Sequence, residues 1–262
     1  MYKVLTIAGT DPSGGAGIQA DLKSFTAFKT YGMSVITAVV AQNTCGVSAI
    51  QNIGPEIVEA QLDAVFTDIF PDAVKIGMVS SLTTIEVIVK KLKEYQPKNI
   101  VLDPVMVSTS RHRLLQKEAE EALIKRLIPL ANIITPNIPE AEVLCGFPIE
   151  TKDDMLLAAK QIANHYHGHI LLTGGHLKDA CDDLLYHPNE IHWLPGKRID
   201  TNHTHGTGCT LSAAIAAGLA KGNTISVAVE TAKNYVTGAL SQGLNLGKGN
   251  GPIDHCYSIS SF

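Results

Sequence analysis

Val4-Leu5-Thr6-Ile7-Ala8-Gly9-Thr10-Asp11-Pro12-Ser13-Gly14-Gly15-Ala16-Gly17-Ile18-Gln19-Ala20-Asp21-Leu22-Lys23-Ser24-Phe25 decides the fold class. The opening residues are apolar and β-branched and end at Gly9, as a buried strand does. The closing residues put Ile18, Leu22 and Phe25 at i, i+4 and i+7, the stripe of an amphipathic helix. Between them runs a polar turn rich in glycine. Strand, glycine loop and helix in that order place a ligand at the carboxyl edge of a parallel sheet. Asp21 falls one turn into the helix, where two readings stand. It accepts a hydrogen bond from a ligand hydroxyl, or it complements the positive end of the helix.

The alternation continues along the chain. Apolar strand-like runs lie near 3–8, 34–41, 73–77, 99–103, 131–135 and 169–173. Helical periodicity occupies 16–29, 55–67, 82–95, 116–127, 138–145, 152–165, 208–221 and 224–241. Continuous apolar strands between helices predict a mostly parallel α/β sheet covered on both faces. A smaller two-stranded feature is expected at 182–186 and 191–194, turned through His187-Pro188-Asn189-Glu190. No repeat, low-complexity segment or Pro/Gly linker divides the chain, so residues 1–262 read as one domain. Its 45% hydrophobic content is enough for one sizeable core.

A second glycine element, Gly206-Thr207-Gly208-Cys209, opens the small-residue run Thr210 to Ala220, which reads as a helix. Small residues at a helix start let backbone N–H groups approach an anion, and the helix dipole adds positive potential there. Cys209 sits in that first turn, a setting that favours thiolate over thiol. An anion hole holding an ionisable group suits phosphoryl transfer. The alternative is a tight turn with Cys209 as an inert core thiol.

Several functions are excluded. Gly15-x-Gly17-x-x-Ala20 falls short of the dinucleotide fingerprint, because Thr10 to Gly14 separate it from the strand. The acidic ribose ligand expected about 20 residues on is missing as well, since residues 35–42 hold no carboxylate. No phosphate-loop motif of the G-x-x-x-x-G-K-[ST] type occurs. A net charge of −4 without a Lys/Arg run argues against nucleic acid and anionic membranes. Cys45, Cys145, Cys181, Cys209 and Cys256 are scattered and odd in number, which indicates neither a disulfide framework nor a zinc site. Reduced thiols and the lack of a leader-like start lead us to expect a soluble protein of the cytoplasm.

Taken together, these segments resemble the hydroxymethylpyrimidine/phosphomethylpyrimidine kinases of thiamin biosynthesis, within the ribokinase-like family. The likeness rests on Ala8 to Asp21, Val40-Ala41-Gln42-Asn43-Thr44, Lys75-Ile76-Gly77-Met78 and Asp103-Pro104-Val105-Met106. It continues through Thr135-Pro136-Asn137-Ile138-Pro139-Glu140-Ala141, Gly174-Gly175-His176 and Thr204 to Thr210. The resemblance implies a three-layer α/β/α sandwich, the use of ATP and Mg²⁺, and a homodimer. It implies that Gly206, Thr207, Gly208 and Cys209 surround the transferring phosphoryl group, with Cys209 as the base. It matches Gly9, Asp21, Gln42, Met78 and Val105 to the pyrimidine pocket. Asn137, Thr173, Gly175 and Thr207 fall on the nucleotide side, and Asp103 and Glu140 on the magnesium side. Read locally, Met78 and Val105 serve equally well as strand-end core.

The chain departs from the pattern in two places. Ser110 is followed by Arg111-His112-Arg113 where the family has glycine, so Arg111 or Arg113 either reaches a phosphate or is a solvated loop charge. Thr173 stands where the pyrimidine kinases often carry lysine, a feature of the related pyridoxal kinases. A pyridoxal kinase of the same fold is therefore the nearest alternative, and a non-catalytic ligand-binding relative is another. His165, His167 and His169 read as a solvated turn rather than a metal site, because Gly168 interrupts them. His203 and His205 contact the phosphate, bond a loop, or simply build the turn.

Overall fold

The computed structural model describes residues 1–106, 115–175, 177 and 181–259. Strand β1 (Lys3–Ala8) leads through the glycine loop into α1 (Gly17–Ala27) and back to β2 (Tyr31–Ile36). The chain then leaves the sheet as a hairpin, β3 (Ala38–Asn43) and β4 (Gly46–Asn52). Next come α2 (Pro55–Asp68), β5 (Ala73–Ile76), α3 (Leu82–Tyr95) and β6 (Ile100–Leu102). Helix α4 (Lys117–Ala122) widens into a π-helical turn over Leu123–Leu127 before β7 (Ile133–Ile134). The rest is α5 (Ile138–Cys145), α6 (Lys152–Ala163), β8 (His169–Leu172), β9 (Asp183–His187), β10 (Glu190–Leu194), α7 (Thr207–Ala220) and α8 (Ile225–Ser241).

Eight strands form the main sheet in the order β10-β9-β8-β7-β6-β5-β1-β2. Those from β8 to β2 run parallel, β9 is antiparallel to them, and β10, antiparallel to β9, returns to their direction. Alternation along each strand assigns its side chains to two cores. Leu5, Ile7, Val74, Ile76, Ile100 and Leu102 face α2 to α6. Val4, Ala73, Val101 and Ile133 face α7 and α8. Helix α7 is buried from Thr210 to Ala220, and its small residues let it lie close to the sheet. The same alternation turns three polar residues, Thr6, Lys75 and Asp103, toward this second face. Thr6 and Lys75 are partners in the register of β1 and β5.

The structure departs from the sequence reading in three elements. The expected strand 34–41 is two strands in two sheets, divided at Thr37. Thr37 N–H donates to the Ala8 carbonyl at 3.0 Å, ending the main-sheet pairing. Its hydroxyl donates to the Met78 carbonyl at 2.9 Å, and the chain then turns outward. Strand β4 was not expected at all; it is exposed at every residue and carries no buried pattern to read. The two-stranded feature expected at 182–186 and 191–194 forms as β9 and β10, and what the sequence reading did not give is that β9 pairs with β8 and extends the main sheet. Among the described residues no helix is long and apolar enough to cross a membrane.

Candidate active site

Asp11 organises the glycine loop after β1. Its Oδ1 accepts from Ser13 N–H at 2.9 Å and the Ser13 hydroxyl at 2.7 Å. Its Oδ2 accepts from the amides of Gly15 at 3.1 Å and Ala16 at 2.7 Å, and from His205 Nε2 at 2.7 Å. Burial alone would raise the pKa of this carboxyl group. The donors from His205, Ser13 and Ala16 reverse that and hold it well below the usual carboxylate range. His205 is thus the loop hydrogen bond of the three readings given above, and it joins the two glycine elements. Their approach is close enough to demand glycine. Gly206 has φ +82°, and a Cβ there would lie 1.7 Å from the Gly15 carbonyl oxygen.

This clasp brings the N-termini of α1 and α7 together. The backbone amide of Gly17 at the start of α1 favours the charged form of the Cys209 sulfur in the first turn of α7. The amides of Gly208 and Cys209 find no acceptor among the described residues. Two positive helix ends with unused donors at one point form a strong local anion hole. The thiolate expectation, however, is corrected. Burial pushes the Cys209 thiol up to about 12, against the pull of Lys75, and Asp21 and Asp103 add to the rise. Desolvation and two carboxylates outweigh the helix ends, so the resting group is a thiol.

The remaining expected residues lie at the carboxyl ends of successive strands. Gly9 follows β1, Met78 follows β5, Asp103 follows β6, Asn137 follows β7 and Thr173 follows β8. A Cβ on Gly9 would sit 2.6 Å from Met78 Cε and 3.6 Å from Val40, so these three share one apolar patch. Val105, half-buried, directly follows Asp103 and Pro104. Gln42 stands apart on β3, next to a register shift in the hairpin, where a bulge re-aims a side chain. Asn137 bridges to Thr173, while a Cβ on Gly175 would meet nothing within 4 Å among the described residues.

Asp21 is fully buried. Its Oδ2 accepts from the Thr6 hydroxyl at 2.6 Å and from Lys75 Nζ at 2.9 Å, and its Oδ1 has no partner among the described residues. It lies beyond the first turn of α1, so the helix-end reading is set aside. Asp103 and Glu140 are both buried. Burial brings Asp103 up to about 6, and burial together with Asp103 raises Glu140 well above its ordinary value. Two buried carboxylates that disfavour each other's charge suit a cation between them. Among the described residues no three His, Cys, Asp or Glu side chains form a metal cage. Glu140 also completes a capping box with Asn137, each accepting from the other's amide at 3.0 Å.

Lys75, Thr6, Asp11 and Ser212, which donates to Asp103 at 3.4 Å, escaped the sequence reading as site residues. Only Lys75 left a signal, as a lone charge inside an apolar strand. Ser110, Arg111, His112, Arg113 and His176 lie outside the described residues. His169 is at the opposite edge of the sheet, its ring stacked 4.5 Å from that of His187. A cavity of about 380 Å³ lies there, lined also by His165 and His167, away from the glycine loops.

A family profile described as phosphomethylpyrimidine kinase matches residues 11–254. The chain belongs to that family. It is 49% identical over 255 residues to the hydroxymethylpyrimidine/phosphomethylpyrimidine kinase of Rhizobium meliloti, covering 96% of each chain. The crystal structure of phosphomethylpyrimidine kinase from Clostridium difficile 630 is similar at a TM-score of 0.82 and 51% identity, covering 90% of this chain and 98% of that one. An ADP complex of Bacillus subtilis pyridoxal kinase superposes at a TM-score of 0.91 and 42% identity, covering 98% of each. In this chain the ribokinase-like sheet places the two glycine loops over one edge.

The contact between those loops can be tested by adding one methyl group. Gly206→Ala forces a Cβ into the Gly15 carbonyl at a left-handed φ, and should lower stability by about 2 kcal/mol or more in urea unfolding. Gly175→Ala meets nothing within 4 Å and should stay within about 0.5 kcal/mol of the parent. Equal midpoints for the two variants would show that the loops do not make this contact.

Proposed function

We propose that the protein transfers the γ-phosphoryl group of ATP to the hydroxymethyl group of 4-amino-5-hydroxymethyl-2-methylpyrimidine, and then to the phosphate of that product. The observation that carries this reading is the meeting of two helix N-termini at Cys209 beside unused amides. Phosphoryl transfer is largely positioning and stabilisation of charge spread over oxygens, and the amides of Gly208 and Cys209, with Thr207 beside them, supply both. The Cys209 sulfur, as thiolate, takes the hydroxyl proton while the alkoxide oxygen bonds to phosphorus and ADP leaves. The Gln42 amide matches the adjacent donor and acceptor of an aminopyrimidine. Met78 and Val105 press on the ring, Gly9 leaves room for it, and the free Asp21 Oδ1 accepts a substrate hydrogen. Asn137, Thr173 and Gly175 border the nucleotide. Asp103 and Glu140 would hold Mg²⁺, which takes few protein carboxylates and completes its shell with phosphate and water. When bound, it neutralises phosphate charge.

The ionisation of Cys209 gives the reading a direction. The base form is the minor form below about 12, so activity falls as pH falls and climbs as pH rises. Purified protein with MgATP should convert the pyrimidine alcohol to monophosphate and diphosphate, with kcat rising from pH 7 to 9. Cys209→Ala should be roughly 10²–10⁴-fold slower and lose that rise. Activity on pyridoxal alone would favour the pyridoxal kinase reading, to which Thr173 points. Near-normal turnover of Cys209→Ala would remove the base.

Glu140→Gln keeps the capping box, since glutamine serves at that position as glutamate does. It should raise the Mg²⁺ concentration needed for half-maximal rate about tenfold, with the pyrimidine KM unchanged. An unaltered Mg²⁺ requirement would remove Glu140 from the metal site.

We also infer a homodimer through the β3–β4 hairpin. A two-stranded sheet is marginal by itself. Val47 and Ile50, on one face of this hairpin, are 54% and 46% exposed, an apolar surface that a second copy would cover. Sedimentation should give a dimer at micromolar concentration and a monomer for Val47→Lys/Ile50→Lys. A monomeric parent would refute the assignment.

A further inference from the structure

Lys75 has no part in the transfer chemistry described so far, yet it is a fully buried cation beneath the transfer site. Its position follows from the strand register. Lys75 is the partner of Thr6 and points, like Thr6, to the face covered by α1 and α7. Its stem runs toward the carboxyl edge, where a Cβ on Gly77 would lie 2.6 Å from Nζ, so glycine leaves room for the ammonium. Nζ donates to Asp21 Oδ2 at 2.9 Å, and both side chains are 0% exposed. That is the only hydrogen bond of the ammonium among the described residues, although it carries three N–H donors. Buried ion pairs are often replaceable by apolar residues at no loss of stability, so packing alone does not explain this one.

Helix α7 packs on β1, β5 and β6 and against α1, and the charges there that act most on the Cys209 sulfur are Lys75 from β5, Asp21 from α1 and Asp103 after β6. Lys75 is the one cation among them, and the two carboxylates oppose any further negative charge. We propose that Lys75 is a positioning residue for phosphoryl transfer, its ammonium tethered by Asp21 as the counter-charge against which Cys209 gives up its proton. The proposal rests on the reading of Cys209 as the base. It assigns Asp21 two tasks: one oxygen holds Lys75, and the other is left for the substrate.

The test uses the whole chain and measures iodoacetamide alkylation of Cys209 against pH. Peptide mapping separates Cys209 from the exposed Cys45 and Cys256. The pH profile of kcat is measured in parallel. Lys75→Met should move the alkylation and kcat limbs up by about one pH unit or more, the usual effect of losing a nearby opposite charge. Asp21→Asn should move the alkylation limb down, because it removes an anion. General loosening of the site would move both variants the same way, so opposite shifts identify the charge effect. If Lys75→Met does not fold, Asp21→Asn/Lys75→Met buries a neutral pair instead, and its limb should lie above that of Asp21→Asn. Unmoved limbs, or shifts in one direction, overturn the proposal. An alkylation limb that moves while the kcat limb does not overturns it together with the reading of Cys209 as the base.

Discussion

The bond between Asp11 and His205 spans 194 positions of sequence, and the site depends on it. Neither glycine loop would hold its shape alone, because both consist largely of small residues with little side chain to pack. Asp11 supplies what packing does not, as one buried carboxylate gathers donors from its own loop and from the distant one. The result is a backbone surface held still before any ligand arrives. Preorganised amides cost little reorganisation when charge develops against them, which is where such sites gain their rate.

Below that surface the sheet gives up apolar packing for charge. Along the face under α1 and α7, Val4, Ala73 and Val101 give way within two residues to Thr6, Lys75 and Asp103. The core is dry at the amino end and ionic at the carboxyl end, with the change completed inside single strands. The parallel arrangement makes this possible, since every strand crosses the same boundary in the same direction. The cluster keeps Asp103 and Glu140 reluctant to ionise together, which makes them a poor resting pair and a good pair for a cation.

Most of this organisation was legible in local sequence. Helices α3 and α5 were expected at 82–95 and 138–145 from helical periodicity, and the structure has them there, capped by Ser81 and Asn137. The glycine elements and strand-end residues were legible as well, since backbone requirements restrict residue choice. What failed depended on distant partners. The division at Thr37 is made by Ala8 and Met78, and nothing within residues 34–41 announces it. Strand β4 has no buried side, so the hydrophobic signal is absent. The protonation of Cys209 is decided by burial first, with Asp21 and Asp103 adding to it against Lys75, while its local context points the other way. Lys75 was visible as an anomaly but not as a partner, for its meaning lies in the register of β1 with β5.

The hairpin β3–β4 sits outside both cores, with every residue of β4 open to solvent. Gln42, the side chain assigned to the substrate ring, is carried on this hairpin, whereas the amides, the thiol and the carboxylates belong to the main sheet and its helices. On that reading one part of ring recognition is mounted away from the transfer machinery, while Gly9, Asp21, Met78 and Val105 share the main sheet and its helices with it. Substitutions within residues 38–52 can alter which ring is accepted without disturbing the buried charges that the reaction needs. The residue proposed to read the ring is thus the one least tied to the two cores, borne on a solvent-facing ribbon rather than on the packed sheet.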